Sequence, residues 1–140
     1  RRSKDQFLDL AVNPGAFVYS INHEDENIGY CVIWELQGFY FLEHFEVFEE
    51  FRNQKFGEKI LESLQEKFEK LILETEPDSL SEIAERRLRF YERNGFSVIE
   101  KNYLQPSDGE GKYAVNLFLM ANFEPENLET LVQEIYNTVY

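Results

Sequence analysis

The feature that most constrains the fold is a change of hydrophobic period near the middle of the chain. Over residues 39–48, apolar residues largely alternate with polar ones, which is typical of a β-strand with one covered face. Over residues 57–71 they recur every three or four positions, which is typical of an amphipathic α-helix. A strand therefore leads into a helix across the polar segment that ends at Gly57.

Two more strand-like runs stand before this change. Residues 16–21 and 28–36 are rich in β-branched and aromatic side chains, and the polar segment NHEDEN separates them. Gln37 and Gly38 supply the next turn. We therefore predict an antiparallel meander of three strands, the third of which covers residues 39–48.

The rest of the chain alternates helices with strands. The predicted elements are a helix over 57–71, a strand over 71–76, a helix capped by Ser79 or Ser81 and ended by Gly95, strands over 96–104 and 113–121, and a helix over 126–140. A short helix over 3–10 precedes the meander. This mixed order predicts an α+β fold in one domain, residues 1–140. Because the chain lacks an initiator Met and opens on what reads as a helix end, we expect the domain to start before residue 1.

The composition narrows the classes of partner. The chain carries 27 acidic and 14 basic residues, a net charge of -13, which disfavours nucleic acids and anionic membranes as partners. Its single cysteine, Cys31, cannot form an internal disulfide, and no Cys/His set has the spacing of a zinc site. We therefore expect no metal and a reducing, cytoplasmic location.

Three basic residues surround Gly57 in this acidic chain. Arg52, Lys55 and Lys59 lie where the third strand gives way to the helix. The free N–H groups and the dipole of a helix start favour an anion such as a phosphate, and the basic side chains can add charge-assisted hydrogen bonds. The same residues also fit a solvated helix terminus, so two interpretations stay open at this point.

Two motifs in order resemble the hallmarks of the GNAT superfamily of acyl-CoA N-acyltransferases. The segment RNQKFGEKIL resembles the R-x-x-G-x-G/A coenzyme A loop of that family. Downstream, RFYERNGF resembles the second hallmark, in which a helical Tyr is followed by a GF that starts the next strand. The resemblance covers roughly residues 16–121. It implies a twisted, mostly antiparallel sheet flanked by helices, here without an evident first strand.

The resemblance implies acetyl-CoA as co-substrate and assigns its binding residues. Backbone groups near Phe45 and Val47 would pair with the pantetheine arm like an added strand. The loop and helix start that would hold the diphosphate comprise Arg52, Asn53, Gln54, Lys55, Phe56, Gly57 and Glu58. Two positions depart from the family pattern: Lys55 replaces the first glycine, and Glu58 replaces a small hydroxyl residue. The Glu58 carboxylate should weaken diphosphate binding unless it turns outward.

Two residues are candidates for proton transfer. Glu43 lies just before the loop, where many family members carry a catalytic Glu, and period two places it on one strand face with Phe41 and Phe45. Its alternative role is that of an exposed or hydrogen-bonded sheet residue. Tyr91 matches the family tyrosine that donates a proton to the departing thiolate, and its alternative role is that of a core tyrosine.

The resemblance therefore implies an acetyl-CoA-dependent N-acetyltransferase, with Glu43 as base and Tyr91 as acid. Its acceptor would be a primary amine of a small molecule or of a protein lysine. The alternative is a degenerate member of the fold that binds CoA or a protein partner without turnover. A homodimer through the apolar face of the C-terminal helix is one arrangement, and packing of that helix on its own sheet is the other.

Overall fold

The computed structural model describes residues 16–106 and 114–140. Across these ranges the fold is α+β, with a six-stranded, mostly antiparallel open sheet and three α-helices, as the sequence predicts. The predicted helix over residues 3–10 and most of the loop before the last strand lie outside the described residues. The fold divides into two compact units, the first ending at Glu69 and the second starting at Lys70.

The first unit contains the predicted meander and one helix. Its elements are β1 Ala16–His23, β2 Glu26–Glu35, β3 Tyr40–Val47 and α1 Phe56–Phe68. Strand β2 pairs antiparallel with both β1 and β3. Glu24 and Asp25 form the β1–β2 turn with φ values of 49° and 65°, as expected for the turn type that matches the twist of a hairpin.

The second unit is built around a central strand that pairs on both sides. Its elements are β4 Leu71–Thr75, α2 Glu82–Arg93, β5 Ser97–Gln105, β6 Val115–Ala121 and α3 Leu128–Val139. Strand β6 pairs antiparallel with β4 and with β5. Ser81 is the N-cap of α2, because its hydroxyl accepts a hydrogen bond from the Ala84 N–H at 3.0 Å. That settles the choice between Ser79 and Ser81.

Helix α1 ends earlier than its hydrophobic period predicts. It stops at Phe68, and Glu69 adopts a φ of 62° while donating its N–H to the Gln65 carbonyl. Leu71 then starts β4 with its side chain fully buried. The buried Leu71 thus continues the apolar spacing of the helix while belonging to the next strand.

The prediction that Glu43 shares one strand face with Phe41 and Phe45 is wrong, because β3 contains a β-bulge. Val32 pairs with His44 and the next residue, Ile33, pairs with Leu42, so Glu43 is the extra residue opposite that step. Paired residues of two strands point to the same face, and Phe41 pairs with Trp34 whereas Phe45 pairs with Cys31. Because Trp34 and Cys31 are three residues apart in β2, they point to opposite faces, and so do Phe41 and Phe45. The alternating period is therefore interrupted at Glu43 itself.

Gly29 in β2 lies against the backbone of β3, and we predict that alanine there destabilises the first unit. A Cβ at this position would lie 2.1 Å from the Glu46 carbonyl oxygen and 3.1 Å from the Val47 Cα. Both atoms belong to the backbone, so β3 must shift, and we expect Gly29→Ala to lower the free energy of unfolding by about 3 kcal/mol in urea denaturation.

Gly38→Ala is the matched control for this change. A Cβ at Gly38 would have no neighbour within 4 Å, and the only cost is its left-handed φ of 86°, which we expect to remove about 1 kcal/mol. A loss at Gly29 no larger than that at Gly38 would contradict the close approach of the two strands.

Cys31 lies in the core of the first unit as a free thiol. Burial raises its pKa to about 12, so the unreactive neutral thiol dominates at neutral pH. Among the described helices, none is both long enough and apolar enough to cross a bilayer.

Candidate functional site

The segment between β3 and α1 contains two left-handed residues and lacks a side-chain cap. A 3-10 turn over Glu49–Phe51 leads into Asn53 and Lys55, which adopt left-handed φ values of 68° and 63°. Lys55 is the N-cap of α1, and no side chain caps the helix. Among the described residues, no N-cap side chain pairs with the first N–H groups of α1. Successive N–H groups next to left-handed residues can form an anion-binding concavity.

The left-handed conformation of Lys55 explains why the family pattern has glycine at this position. Glycine reaches that region without steric cost, whereas a residue with a Cβ loses about 1 kcal/mol. Lys55 is exposed, so its ammonium group adds positive charge at the helix start, whereas glycine would add only backbone conformational freedom.

Arg52 braces the loop against the end of β3. Its Nε donates to the Val47 carbonyl oxygen at 2.8 Å, and its guanidinium lies 3.9 Å from a Glu46 carboxylate oxygen. The Arg52 side chain is 55% exposed, so part of the guanidinium stays accessible to a ligand. Gln54, in turn, reaches back to the Glu50 carbonyl at 3.4 Å.

Backbone groups of Phe45 and Val47 turn away from β2. Phe48 donates its N–H to the Ile28 carbonyl in β2 at 2.8 Å, and successive residues of an antiparallel strand direct their backbone groups to opposite sides. The Val47 carbonyl accordingly accepts from Arg52 instead of from β2. The backbone groups of Phe45 and Val47 therefore point to the side of β3 that does not pair with β2, which is where a strand-like ligand would have to bind.

The remaining residues of the predicted loop lie in the first turn of α1. The Phe56 ring contacts the His23 ring, with 4.8 Å between centroids, and this contact ties the β1–β2 hairpin to the helix start. Gly57 is half-buried, and Glu58 is exposed.

Glu43 is held by the indole of the neighbouring strand. The Trp34 Nε1–H donates to Glu43 Oε1 at 2.8 Å, and the His44 Nε2 lies 3.8 Å from Oε2. The Glu43 side chain is 24% exposed. Its carboxylate thus has one oxygen fixed and the other beside an imidazole, a geometry that suits either proton acceptance at Oε2 or a hydrogen-bonded sheet residue.

Tyr91 lies near the end of α2 in an aromatic cluster. Its ring lies 5.5 Å from the Phe90 ring and 5.9 Å from the Phe96 ring. Burial raises the pKa of its phenol, and the positive charge of Arg87 opposes that rise. Within the described ranges, the Tyr91 hydroxyl makes no hydrogen bond, so its proton is not shared with a described neighbour. Glu43 belongs to the first unit and Tyr91 to the second.

A carboxylate that the sequence does not single out collects several donors in the second unit. Glu74 in β4 accepts hydrogen bonds from the Tyr103 hydroxyl, from Gln105 Nε2 at 3.0 Å and from the Tyr140 hydroxyl at 2.7 Å. Burial, and then the charge of Glu74, raise the pKa of Tyr103. The only sequence signal is a Glu inside a run of apolar strand residues, and it does not reveal the partners.

No group of three or more His, Cys, Asp or Glu side chains in the described part of the chain is placed to hold a metal ion. The described residues that fit a bound group are instead those at the start of α1, together with the backbone of Phe45 and Val47 at the end of β3. Together they match a diphosphate joined to a strand-like chain.

Comparisons with known proteins give independent evidence of the family and the fold. Residues 14–98, more than half of the chain, match the family model for the GNAT acetyltransferase domain. No curated protein sequence matches the chain significantly. Among solved structures, a GNAT-family acetyltransferase protein from Bacteroides thetaiotaomicron is 29% identical, covering all of this chain and 82% of its own, with a TM-score of 0.89.

Two more distant structures show the same fold. A GNAT family acetyltransferase from Elizabethkingia anophelis with acetyl-CoA bound is 24% identical over 85% of this chain and 82% of its own, with a TM-score of 0.59. The ribosomal-protein-S18-alanine N-acetyltransferase from Escherichia coli is 19% identical over 91% of this chain and 82% of its own, with a TM-score of 0.61. With its family model matched and its predicted fold found, the chain belongs to the GNAT acetyltransferase family.

Proposed function

We propose that the protein transfers an acetyl group from acetyl-CoA to a primary amine of a small molecule or a protein. The observation that carries this proposal is the uncapped start of α1 behind two left-handed residues, Asn53 and Lys55. Such a turn directs N–H groups at one point, and the helix dipole favours negative charge there. A diphosphate satisfies both.

The backbone at the end of β3 supports the proposal as a second observation. The backbone groups of Phe45 and Val47 point away from β2, and an extended pantetheine arm can hydrogen-bond to them as an added strand. Arg52 fixes the end of β3 to the loop, so the pantetheine contacts and the diphosphate contacts are kept in register.

Proton transfer completes the reaction. Acetyl-CoA supplies an activated thioester. In our proposal Glu43 accepts the proton of the attacking amine at Oε2, the carboxylate oxygen that Trp34 does not occupy. As the new C–N bond forms and the C–S bond breaks, Tyr91 donates its phenolic proton to the sulfur. Solvent then returns a proton to Tyr91 and removes one from Glu43.

The acceptor amine is proposed from charge. A chain with a net charge of -13 attracts cations, and protonated amines are cations before they lose a proton to the base. The Escherichia coli enzyme named above acetylates the alanine of a ribosomal protein, which supports a protein amino group as one class of acceptor.

The lone buried thiol of Cys31 supports our proposal of a reducing, cytoplasmic location.

A second candidate function is binding of CoA or of a protein partner without turnover. The observation that favours it is the Trp34–Glu43 hydrogen bond, because it gives Glu43 a structural role that needs no catalysis. Lys55, in a position that the family pattern gives to glycine, favours it as well.

Binding of acetyl-CoA tests what the two candidates share. We expect calorimetry to give a micromolar dissociation constant for acetyl-CoA and much weaker binding of ATP. Gly57→Trp places an indole over the first N–H groups of α1 and should weaken acetyl-CoA binding by about 30-fold or more, that is, by about 2 kcal/mol. Glu62→Trp, at an exposed position of the same helix, is the control and should leave binding unchanged.

Release of free thiol over a panel of amines then separates enzyme from binder. Glu43→Gln keeps an oxygen that can accept the Trp34 hydrogen bond but removes the basic carboxylate, so it should abolish turnover while preserving acetyl-CoA binding. Unchanged acetyl-CoA binding in Gly57→Trp would overturn the diphosphate site. Micromolar binding with no thiol release from any amine would favour the second candidate.

A further inference from the structure

A cavity of about 390 Å³ lies between α1 and the β1–β2 hairpin of the first unit. Its inner surface is apolar and buried, with Ile28, Cys31, Leu64 and Phe68 each at most 9% exposed. Cys31 has a small side chain at the sheet surface under the helix, which leaves room for the cavity. A volume of this size, apolar inside with a few polar groups at its rim, is typical of small-molecule sites.

The rim of this cavity is cationic in an acidic protein. Lys59 and Lys67 line it, and among the described residues that line it none is acidic, although the chain carries 27 acidic residues against 14 basic ones. The two lysines are eight positions apart in the helix, which corresponds to about 12 Å along α1. The rim therefore repels an amine and attracts an anion.

The Lys67 ammonium group is placed at the rim by two aromatic rings. It lies 6.0 Å from the centroid of the Tyr19 ring and 5.7 Å from that of the Phe68 ring. Such contacts hold the charged end of a lysine beside an apolar surface. Asn22, Ser63 and His23 add polar groups to the same rim.

We propose that this cavity binds an amphiphilic carboxylate, that is, a molecule with an aliphatic body and an anionic head such as a medium-chain fatty acid. The aliphatic body occupies the space under α1, and the head group pairs with the lysines of the rim. Removing the body from water contributes about 25 cal/mol per Å² of apolar surface, and the ammonium groups select the sign of the head.

This site adjoins the proposed diphosphate site and shares Phe56 and Lys59 with it. It uses the face of α1 that carries Phe56, Ile60, Ser63 and Lys67, whereas Arg52, Lys55 and Gly57 do not line it. The proposal holds whether or not the protein transfers acetyl groups, and its test needs no acetyl-CoA.

Binding of three ten-carbon probes to the full chain tests the sign of the charge. We expect calorimetry below the micelle concentration to show that decanoate binds at least about tenfold more tightly than decylamine or decanol. Equal affinities for decanoate and decylamine would overturn the proposal, because they would show adsorption to an apolar surface without recognition of the head.

Two variants test whether decanoate binds in this cavity. Lys67→Glu should weaken decanoate binding by about tenfold, whereas Lys101→Glu changes the net charge equally on β5 of the second unit and should leave it unchanged. Ser63→Trp fills the cavity from an exposed position and should abolish decanoate binding while far-ultraviolet circular dichroism stays native. Decanoate binding that survives both Lys67→Glu and Ser63→Trp would overturn the assignment.

Discussion

Tyr91→Phe is expected to lower kcat for acetyl transfer by a factor of about 10² to 10⁴, the usual contribution of a positioned general acid. The change removes the phenolic oxygen and its proton, and this phenol makes no hydrogen bond to any described residue. Binding of acetyl-CoA should be unaffected, because the phenol acts only when the thiolate leaves. Steady-state thiol release and calorimetry on the same preparations measure the two quantities.

The pH dependence of kcat gives an independent readout of this role. Burial raises the pKa of Tyr91, so its phenol keeps its proton through neutral and mildly alkaline pH. The wild-type kcat should therefore persist to above pH 9. The ratio of the wild-type kcat to that of Tyr91→Phe should stay constant over the same range. A tyrosine that only fills space would show no such loss at any pH.

Tyr40→Phe is the matched control for the loss of one phenolic oxygen. The Tyr40 hydroxyl makes a long hydrogen bond of 3.4 Å to Glu35, and the residue has no role in the proposed transfer. Its replacement should leave kcat within about twofold of wild type. Wild-type kcat in Tyr91→Phe, or an equal loss in both variants, would remove Tyr91 from the mechanism.

Most of the fold could be predicted because its local signals are strong and agree with one another. The alternating runs of the meander, the turn at Glu24 and Asp25, and the Ser81 cap are all set by residues close in sequence. The order of strands and helices then follows from these elements. The resemblance to the GNAT hallmarks added the function, which no local period can supply.

The β-bulge could not be predicted from hydrophobic period alone. Phe41 and Leu42 are both buried although they are adjacent, and Glu43 follows as the extra residue. Two adjacent apolar residues inside an alternating strand are the available signal, but the same pair also fits a strand that is covered on both faces. Pairing with β2 is what distinguishes the two cases.

Only part of the conformation of the loop between β3 and α1 could be predicted from the sequence. Gly57 marks the start of α1 to within one residue, since the helix begins at Phe56. The left-handed φ of Lys55 could not be read from the residue type, because Lys rarely adopts it. The family glycine at this position is the signal, and it comes from the resemblance instead of the residue itself.

The hydrogen-bond network around Glu74 was missed because its members are far apart in sequence. Tyr103 is 29 residues away from Glu74, Gln105 is 31 and Tyr140 is 66. No period or motif links residues at such separations. Only the antiparallel pairing of β4 and β5 with β6, together with the position of α3, brings them to one carboxylate.

Glu74→Ala is expected to produce the largest loss of stability among single changes in the second unit. The substitution removes the acceptor shared by Tyr103, Gln105 and Tyr140 and leaves the Tyr103 hydroxyl buried at 2% residue exposure. Hydrogen bonds to a charged acceptor contribute about 1.5–3 kcal/mol each, and an unsatisfied buried donor costs more than a deleted pair. We expect the free energy of unfolding in urea to fall by about 4 kcal/mol.

Glu76→Ala is the matched control, two residues along the chain. Its carboxylate lies 3.7 Å from the Arg87 guanidinium, and both side chains are about half exposed, so the loss should stay within about 0.5 kcal/mol. A double-mutant cycle with Tyr103→Phe separates the hydrogen bond from the lost volume. If Glu74→Ala costs as little as Glu76→Ala, the network does not stabilise the second unit.

Alkaline pH should weaken the same network in wild type. The folded-state pKa of Tyr103 is raised above its unfolded value of about 10, so the folded state retains the proton longer than the unfolded state. This stabilisation is complete below about pH 10 and declines as the pH rises above it, because the unfolded phenol then ionises while the folded one does not. Tyr103→Phe removes that ionisation, so its stability curve should be flatter than that of wild type from about pH 9 to 11. Parallel curves would show that Tyr103 ionises with the same pKa in both states and that Glu74 does not hold its proton.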